Sequence, residues 1–135
     1  MRPKVVIAGT FHRDHAGLTQ IFTELERLGC RILYPISIDF LDTTEAVVHT
    51  EHDQDISVYD LEFIGLRAIR DVDFIFLHAP NGYVGLSGAF EIGYATAYGK
   101  PIFATALPND EMLASQTTIV GSPAEALNLL QLPTL

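Results

Sequence analysis

One stretch decides how the rest of the chain is interpreted: Tyr83-Val-Gly-Leu-Ser-Gly-Ala-Phe-Glu-Ile-Gly-Tyr-Ala-Thr-Ala-Tyr-Gly-Lys-Pro-Ile-Phe103. Its glycine- and serine-rich turn opens a predicted helix over 87–98, which ends at Gly99 before Pro101 starts a strand. The helix carries one acid, Glu91, about one turn after its start. A ligand there can meet both the carboxylate and free backbone N–H groups. We therefore take Glu91 as the candidate reactive group, the alternative being an acid that only stabilises the helix dipole.

Apolar runs on both sides of this stretch alternate with segments of helical periodicity. The predicted strands cover residues 4–8, 30–35, 74–77, 102–106 and 118–120. The predicted helices cover residues 18–28, 58–69, 87–98 and 124–130, the last with Ser122 as N-cap, and a short helix is possible at 109–115. This alternation predicts one domain over residues 1–135, a three-layer α/β fold of the flavodoxin or Rossmann-like type. We expect a five-stranded parallel sheet in the order 2-1-3-4-5.

Ligands of such sheets bind at the carboxyl ends of the strands, where strands one and three lie side by side. The two segments predicted at that point are 9–15 and 78–91, so the topology brings the first loop next to the helix that carries Glu91. Residues 36–56 have no clear period and form a long polar connection. We expect this connection to fold over a pocket at the strand ends.

The first loop is a candidate phosphate or sugar clamp, because it offers N–H groups near a helix start and the guanidinium of Arg13. Ser87 and Gly88, at the start of the Glu91 helix, are candidates for the same purpose. The predicted binding residues of the first loop are Gly9, Thr10, Phe11, His12, Arg13 and His15. The alternative is an ordinary solvated loop.

Composition excludes several classes of protein. The 135 residues carry a formal charge of 8 − 17 = −9, which argues against a nucleic-acid surface. The single cysteine, Cys30, cannot form an internal disulfide and is expected to be a small buried apolar residue in a reducing compartment. Signal-peptide and membrane-span patterns are not visible, so we expect a cytoplasmic protein. The spacing of His49, His52, Asp53 and Asp55 is irregular, so we predict no metal site there.

The segment Gly88-Ala-Phe-Glu-Ile-Gly-Tyr-Ala-Thr-Ala-Tyr-Gly-Lys-Pro-Ile resembles the signature of the nucleoside 2-deoxyribosyltransferase superfamily. That superfamily also contains deoxynucleoside 5′-monophosphate N-glycosidases and cytidylate hydrolases. Looser similarity covers residues 6–11 and 66–74, so most of the chain aligns in order. The resemblance implies that Glu91 is the nucleophile that attacks the anomeric carbon of a nucleoside or nucleotide sugar. It also implies that the first loop holds a 5′-phosphate, and that the protein forms a homodimer or higher homo-oligomer without a cofactor.

The chain differs from the family pattern at three positions. Val6 stands where family enzymes usually have a tyrosine, Gly65 where they have an acid, and Gly85 where they often have Asp or Ser. Either other residues supply these groups, with Asn81, Tyr83, Ser87 and His78 as the candidates, or the activity has changed or been lost. We predict Glu91, Tyr83 and Asn81 as catalytic and His78, with Ser87 and Gly88, as substrate-binding.

The resemblance thus implies hydrolysis of an N-glycosidic bond, or deoxyribosyl transfer, through a covalent glycosyl–Glu91 intermediate. The departing base needs a proton or a hydrogen bond, for which Asn81, His78 and the acidic stretch 49–55 are the candidates. The alternative is a non-catalytic protein that binds or senses a nucleotide-like ligand in the same pocket.

We expect Tyr94 and Tyr98, which share a helix face, to serve packing or an interface.

Overall fold

The computed structural model describes residues 2–41, 48–51 and 53–130, along which β-strands and α-helices alternate. The strands are β1 (Lys4–Gly9), β2 (Arg31–Tyr34), β3 (Phe74–His78), β4 (Ile102–Ala104) and β5 (Thr118–Ile119). The helices are α1 (His15–Arg27), α2 (Val58–Asp71), α3 (Leu86–Ala97), α4 (Glu111–Ser115) and α5 (Pro123–Leu130), with a 3₁₀ turn at Pro80–Gly82.

The five strands pair in parallel in the order β2-β1-β3-β4-β5, which confirms the predicted topology. Helix α1 packs with α5 and helix α2 packs with α3, so the sheet lies between two helical layers. Every residue of β3 is buried, as expected for a central parallel strand that is covered on both faces. The register of β1 against β3 runs from Val5 opposite Phe74 to Gly9 opposite His78, and this brings the ends of both strands to one level.

Local sequence explains where the helices begin and end. Helix α1 buries Leu18 and Leu25 and is followed by Gly29 with a φ of +85°, a conformation that glycine adopts without strain. At α5, the amide of Glu125 donates to the Ser122 hydroxyl at 3.4 Å, which confirms Ser122 as the N-cap. No helix in the described residues is long and apolar enough to cross a membrane.

Three strands end earlier than predicted, and one of them, β5, ends at Ile119 rather than at residue 120. Strand β2 ends at Tyr34, because Pro35 has no N–H to donate to a neighbouring strand. Strand β4 ends at Ala104 rather than at residue 106, since its partner β5 reaches only Phe103 and Ala104. Cys30 is 2% exposed, which confirms that it is buried.

The connection 36–56 is described only in part. The sequence also suggests a short extra strand at 46–49 within this connection, but residues 46 and 47 lie outside the described residues. Thr50 forms an isolated antiparallel bridge with Phe40, and Val48 and Thr50 are both buried. The described part of this connection therefore packs against the body of the protein at the strand ends.

Candidate active site

Glu91 lies on α3 with its side chain turned into the protein, where the residue is only 5% exposed. Its Oε1 accepts a hydrogen bond from the backbone N–H of Gly9 at 3.1 Å. Gly9 has a φ of +111°, and a Cβ at this position would overlap the carbonyl oxygen of His78. The end of β1 therefore needs a glycine, and the N–H of that glycine holds the carboxylate.

The start of α3 lies against the end of β1. A Cβ at Gly88 would be 3.1 Å from the Cα of Gly9 and 2.9 Å from Cγ1 of Val84. Only a glycine at this helical position lets α3 approach β1 so closely. This close approach is what allows Glu91 to reach the amide of Gly9.

A cavity of about 20 Å³ surrounds the Glu91 carboxyl group. This is room for about one water molecule. Its walls come from β1, the loop after β1, β2, the connection after β2, α2 and α3. They consist of Gly9, Phe11, Tyr34, Val48, Glu62, Ser87 and Glu91. The cavity thus contains a second carboxyl group and a phenol, from Glu62 and Tyr34, which were not among the predicted site residues.

Burial raises the pKa of Glu91 well above its ordinary value, the charge of Glu62 raises it further, and the hydrogen bond from Gly9 acts in the opposite direction. Burial also raises the pKa of Glu62, and a hydrogen bond with the Ser87 side chain partly offsets this. Burial, together with the carboxylates of Glu91, Glu62 and Asp53, raises the pKa of Tyr34. The Tyr34 hydroxyl therefore stays protonated beside two carboxyl groups that resist ionising together.

Strand register explains why Tyr34 lies here. Tyr34 is paired with Val6, the position at which the resembling enzymes usually have their tyrosine. Residues paired across neighbouring strands place their side chains on the same face of the sheet. A Cβ at Gly65 would lie 3.3 Å from Cε1 of Tyr34, so the glycine leaves room for the ring.

The sequence does contain a signal for Glu62. On α2 it precedes Leu66 by four residues and Ile69 by seven, and both of these are buried. An acid in line with a buried apolar stripe faces the interior of the protein. The Oε1 of Glu62 is buried and has no hydrogen-bond partner within the protein. A ligand or a water molecule in the cavity can supply the missing hydrogen bond.

The first loop and the segment before α3 come together, as the topology predicts. Thr10 Oγ1 accepts a hydrogen bond from the amide of Gly85 at 3.3 Å and lies 3.5 Å from the carbonyl oxygen of Tyr83. The guanidinium of Arg13 stacks over the Tyr83 ring, 3.7 Å from its centroid. Arg13 is exposed, so its charge is held next to the start of α3 and faces solvent.

One expectation about the first loop is wrong. The amides of Gly9 and Thr10 are not free for a ligand, since Gly9 donates to Glu91 and Thr10 donates to the carbonyl of His78 at 3.1 Å. The pairing of β1 with β3 extends one residue further than expected and uses the Thr10 amide. At the start of α1, the Asp14 carboxylate already accepts from Gly17. Helix α3 starts without a side-chain cap, with Gly85 as its N-cap.

None of the histidines of the predicted site lines the cavity around Glu91. His78 is buried, and its Nε2 lies 3.0 Å from the carbonyl oxygen of Arg13. His15 Nε2 lies 2.7 Å from the carbonyl of Ile38. The Nδ1 of His12 is buried without a partner.

Asn81 and His78 line a different, larger cavity of about 410 Å³ beside α1 and the start of α5. Neither residue lines the cavity around Glu91. Phe11, by contrast, lines that cavity and stacks on Phe40 with 5.9 Å between ring centroids. Of the residues predicted as catalytic, Glu91 alone borders the small cavity, while Tyr83 lies at the start of α3 beneath Arg13.

The polar residues near position 50 hold their own loop together. His49 Nε2 lies 2.8 Å from the carbonyl of Ile56, and Asp53 accepts from the amide of Thr50 at 2.7 Å. His52 lies outside the described residues. Among the residues that the structure describes, no group of three or more His, Cys, Asp or Glu side chains is arranged to hold a metal ion.

No model of a protein family matches this chain, and no curated protein matches it in sequence. Solved structures do match. A 2-deoxyribosyltransferase from the psychrotolerant bacterium Bacillus psychrosaccharolyticus aligns with a TM-score of 0.64 and 17% identity, over 98% of this chain and 99% of that chain. The CMP N-glycosidase BcmB of Clostridium botulinum aligns with a TM-score of 0.49 and 19% identity, over 96% of this chain and 99% of that chain. The chain thus has the fold of the 2-deoxyribosyltransferase, the fold that the resemblance over residues 88–101 predicts.

Proposed function

We propose that the protein cleaves or transfers the N-glycosidic bond of a nucleoside or nucleoside 5′-monophosphate, with Glu91 as the nucleophile. The observation that supports this most directly is the Glu91 carboxyl group, buried in a cavity at the ends of β1 and β2 and held by the amide of Gly9. Burial of a carboxylate costs free energy, and buried acids that border a cavity are typical of functional sites. The likeness of the fold to that of a 2-deoxyribosyltransferase is consistent with this proposal.

The reaction has two steps. A carboxylate oxygen of Glu91 attacks the anomeric carbon, a C–O ester bond forms, and the electrons of the broken C–N bond leave with the base. Water, or the nitrogen of a second base, then attacks the same carbon and releases the carboxylate. The first acceptor makes the protein a hydrolase and the second makes it a transferase. The Gly9 N–H holds the carboxylate in place through both steps.

The residues around α3 favour a 5′-monophosphate as the substrate. The start of α3 presents uncapped N–H groups and the Ser87 hydroxyl, and the N-terminal end of a helix favours an anion. Arg13, held on the Tyr83 ring, adds a full positive charge beside this helix start. A local cation of this kind lets a chain of formal charge −9 bind a phosphate.

The sugar and base need more room than the cavity at Glu91 provides. A second cavity, of about 100 Å³, shares Phe11, Tyr34 and Val48 with it and is mostly apolar. We propose that the base lies there against Phe11 and Phe40, while the sugar displaces the side chains that separate the two cavities. Aromatic walls of this kind suit the flat face of a base.

The test is to incubate the protein with a panel of nucleosides and 5′-monophosphates and to measure the release of free base. We expect release from at least one 5′-monophosphate, and its loss in Glu91→Ala. Glu26→Ala, at an exposed position on α1, is the matched control and should keep full activity. Mass spectrometry of the quenched reaction should find the sugar on the peptide that contains Glu91.

Two results would count against the proposal. Equal release by Glu91→Ala would remove the role of Glu91 as the nucleophile. Binding of a nucleotide, measured by calorimetry, without release of base from any member of the panel would instead support the non-catalytic ligand-binding protein.

A further inference from the structure

We propose that Glu62 is the acid that protonates the departing base, and that Glu62 and Glu91 hold one proton between them in the empty site. This inference rests on the proposed function, because it assigns the leaving-group step of that reaction. It differs from the sequence-based expectation, which looked to Asn81, His78 and residues 49–55 for this proton.

The first argument is position. Glu62 and Glu91 come from the neighbouring helices α2 and α3 and line the same small cavity, whereas Asn81 and His78 line another. The cavity of about 100 Å³ that we assign to the base shares Tyr34 with the cavity around Glu91. An acid at the small cavity is therefore next to the bond between sugar and base, with Glu91 beside it.

The second argument is the hydrogen bonding of the two carboxyl groups. Glu91 receives an N–H from Gly9, whereas the Oε1 of Glu62 is buried with no partner. A buried carboxylate oxygen without a donor is costly, and the cost falls when the group carries a proton. The Ser87 side chain also meets Glu62 and favours its ionised form, so the difference between the two groups lies at Oε1, which has a donor in Glu91 and none in Glu62.

The third argument is the charge around the pair. The titratable groups that face it are the Tyr34 phenol from β2 and, beside that phenol, Asp53. Ser87 contributes an uncharged hydroxyl. No lysine or arginine is among the described residues that line this cavity, so two ionised carboxylates there would repel each other without a side-chain cation to compensate. Two close carboxyl groups in such a place share a proton.

Substrate binding then decides where the proton lies. Glu91 is the more deeply buried of the two, so in the empty site it also holds the proton for part of the time. Positive charge that develops at the anomeric carbon favours an ionised Glu91 and leaves the proton on Glu62. As the C–N bond breaks, Glu62 gives this proton to the base nitrogen and becomes a carboxylate. In the second step that carboxylate takes a proton from the attacking water, and the pair returns to its starting state.

Leaving-group dependence tests the acid role. An ordinary nucleoside 5′-monophosphate needs a proton on its base, whereas a pyridinium nucleotide such as nicotinamide mononucleotide releases a neutral base without one. We expect Glu62→Gln to lower kcat on the ordinary substrate by roughly 10²- to 10⁴-fold, and to change kcat on the pyridinium substrate by only a few-fold. Glu62→Asp should restore part of the loss, and Glu91→Gln should lose activity on both substrates. Equal losses on both substrates in Glu62→Gln would overturn the acid role.

Carbon-13 NMR of the glutamate carboxyl groups tests the shared proton without any turnover. In the ligand-free protein we expect the Glu91 resonance to titrate at a lower pH in Glu62→Gln than in the wild type. A Glu91 titration that is unchanged by Glu62→Gln would overturn the shared proton. If the wild type releases no base from any substrate, the proposed function and the acid role fail together, whereas the shared proton is still decided by this titration.

Discussion

The carboxyl group of Glu91 is held by an amide 82 residues earlier in the chain. This one hydrogen bond joins β1 to α3 and fixes the direction of the side chain. Because the carboxyl group is buried beside Glu62, it binds a proton more readily in the folded state than in the unfolded state. Its ionisation therefore opposes folding.

The sign of this effect gives a prediction about stability and pH. The folded protein binds more protons than the unfolded protein between the ordinary pKa of 4.5 and the raised pKa of the folded state. The contribution of Glu91 to the free energy of unfolding is then highest at low pH and decreases as the pH rises through this window. Glu91→Gln keeps the shape of the side chain and removes its charge. Its free energy of unfolding relative to that of the wild type should therefore increase from pH 5 to pH 8.

Urea unfolding at the two pH values measures this difference. Glu26→Gln, at an exposed position, controls for the loss of one negative charge and should show no such trend. The same stability difference between Glu91→Gln and the wild type at both pH values would contradict the prediction.

At the scale of the element, the two glycines inside α3 have different surroundings. Gly88 faces Gly9 and Val84 at distances that leave no room for a methyl group, whereas a Cβ at Gly93 would meet nothing within 4 Å. Both glycines lie in the helix, where alanine is intrinsically the better helix former. The two positions therefore separate helix propensity from the contact with β1.

We expect Gly88→Ala to lower the free energy of unfolding by about 1–3 kcal/mol, the usual cost of overpacking. The added methyl group pushes α3 away from β1 and lengthens the hydrogen bond between Gly9 and Glu91, so base release should fall as well. Gly93→Ala should be neutral or more stable by about 0.5–1 kcal/mol, with activity unchanged. Chemical denaturation and the base-release assay measure both effects, and equal effects of the two substitutions would rule out the contact with β1 as the reason for Gly88.

At the scale of the whole molecule, α2 and α3 pack side by side and expose aromatic side chains. Phe63 on α2 is 57% exposed and Phe90 on α3 is 61% exposed. Tyr94 and Tyr98 pack on each other with 5.0 Å between ring centroids, and Arg70 of α2 lies 5.4 Å from the centroid of the Tyr98 ring. The packing role expected for these tyrosines thus lies at the junction of the two helices. Exposed aromatic side chains of this kind are enriched at protein interfaces.

The predicted homo-oligomer should therefore use this α2–α3 surface. We expect sedimentation velocity to find a dimer or larger species, and Phe63→Glu and Phe90→Glu to shift it towards the monomer, because a charge in an apolar interface is costly. Leu129→Glu on α5, where Leu129 is 51% exposed, is the control in the other helical layer and should leave the oligomer intact. A wild type that is monomeric at high concentration would refute this prediction.

The sequence by itself determined the elements, their order and the position of the candidate site. Strands buried on both faces read as continuous apolar runs, and glycine, proline and serine mark helix ends through their own backbone chemistry. With β1 next to β3, parallel topology then placed the loop at 9–15 against the start of α3. Glu91 followed from these local patterns, because it is the one acid in an otherwise apolar helix.

Only the tertiary structure decided which side chains from different elements meet. The pairing of Tyr34 with Val6 brings in a phenol from β2, and the rotation of α2 about its axis turns Glu62 towards Glu91. The same packing turns His78 and Asn81 towards another cavity and uses the amides of Gly9 and Thr10 within the protein. Periodicity describes one element at a time, whereas strand register and helix rotation depend on how all the elements pack together.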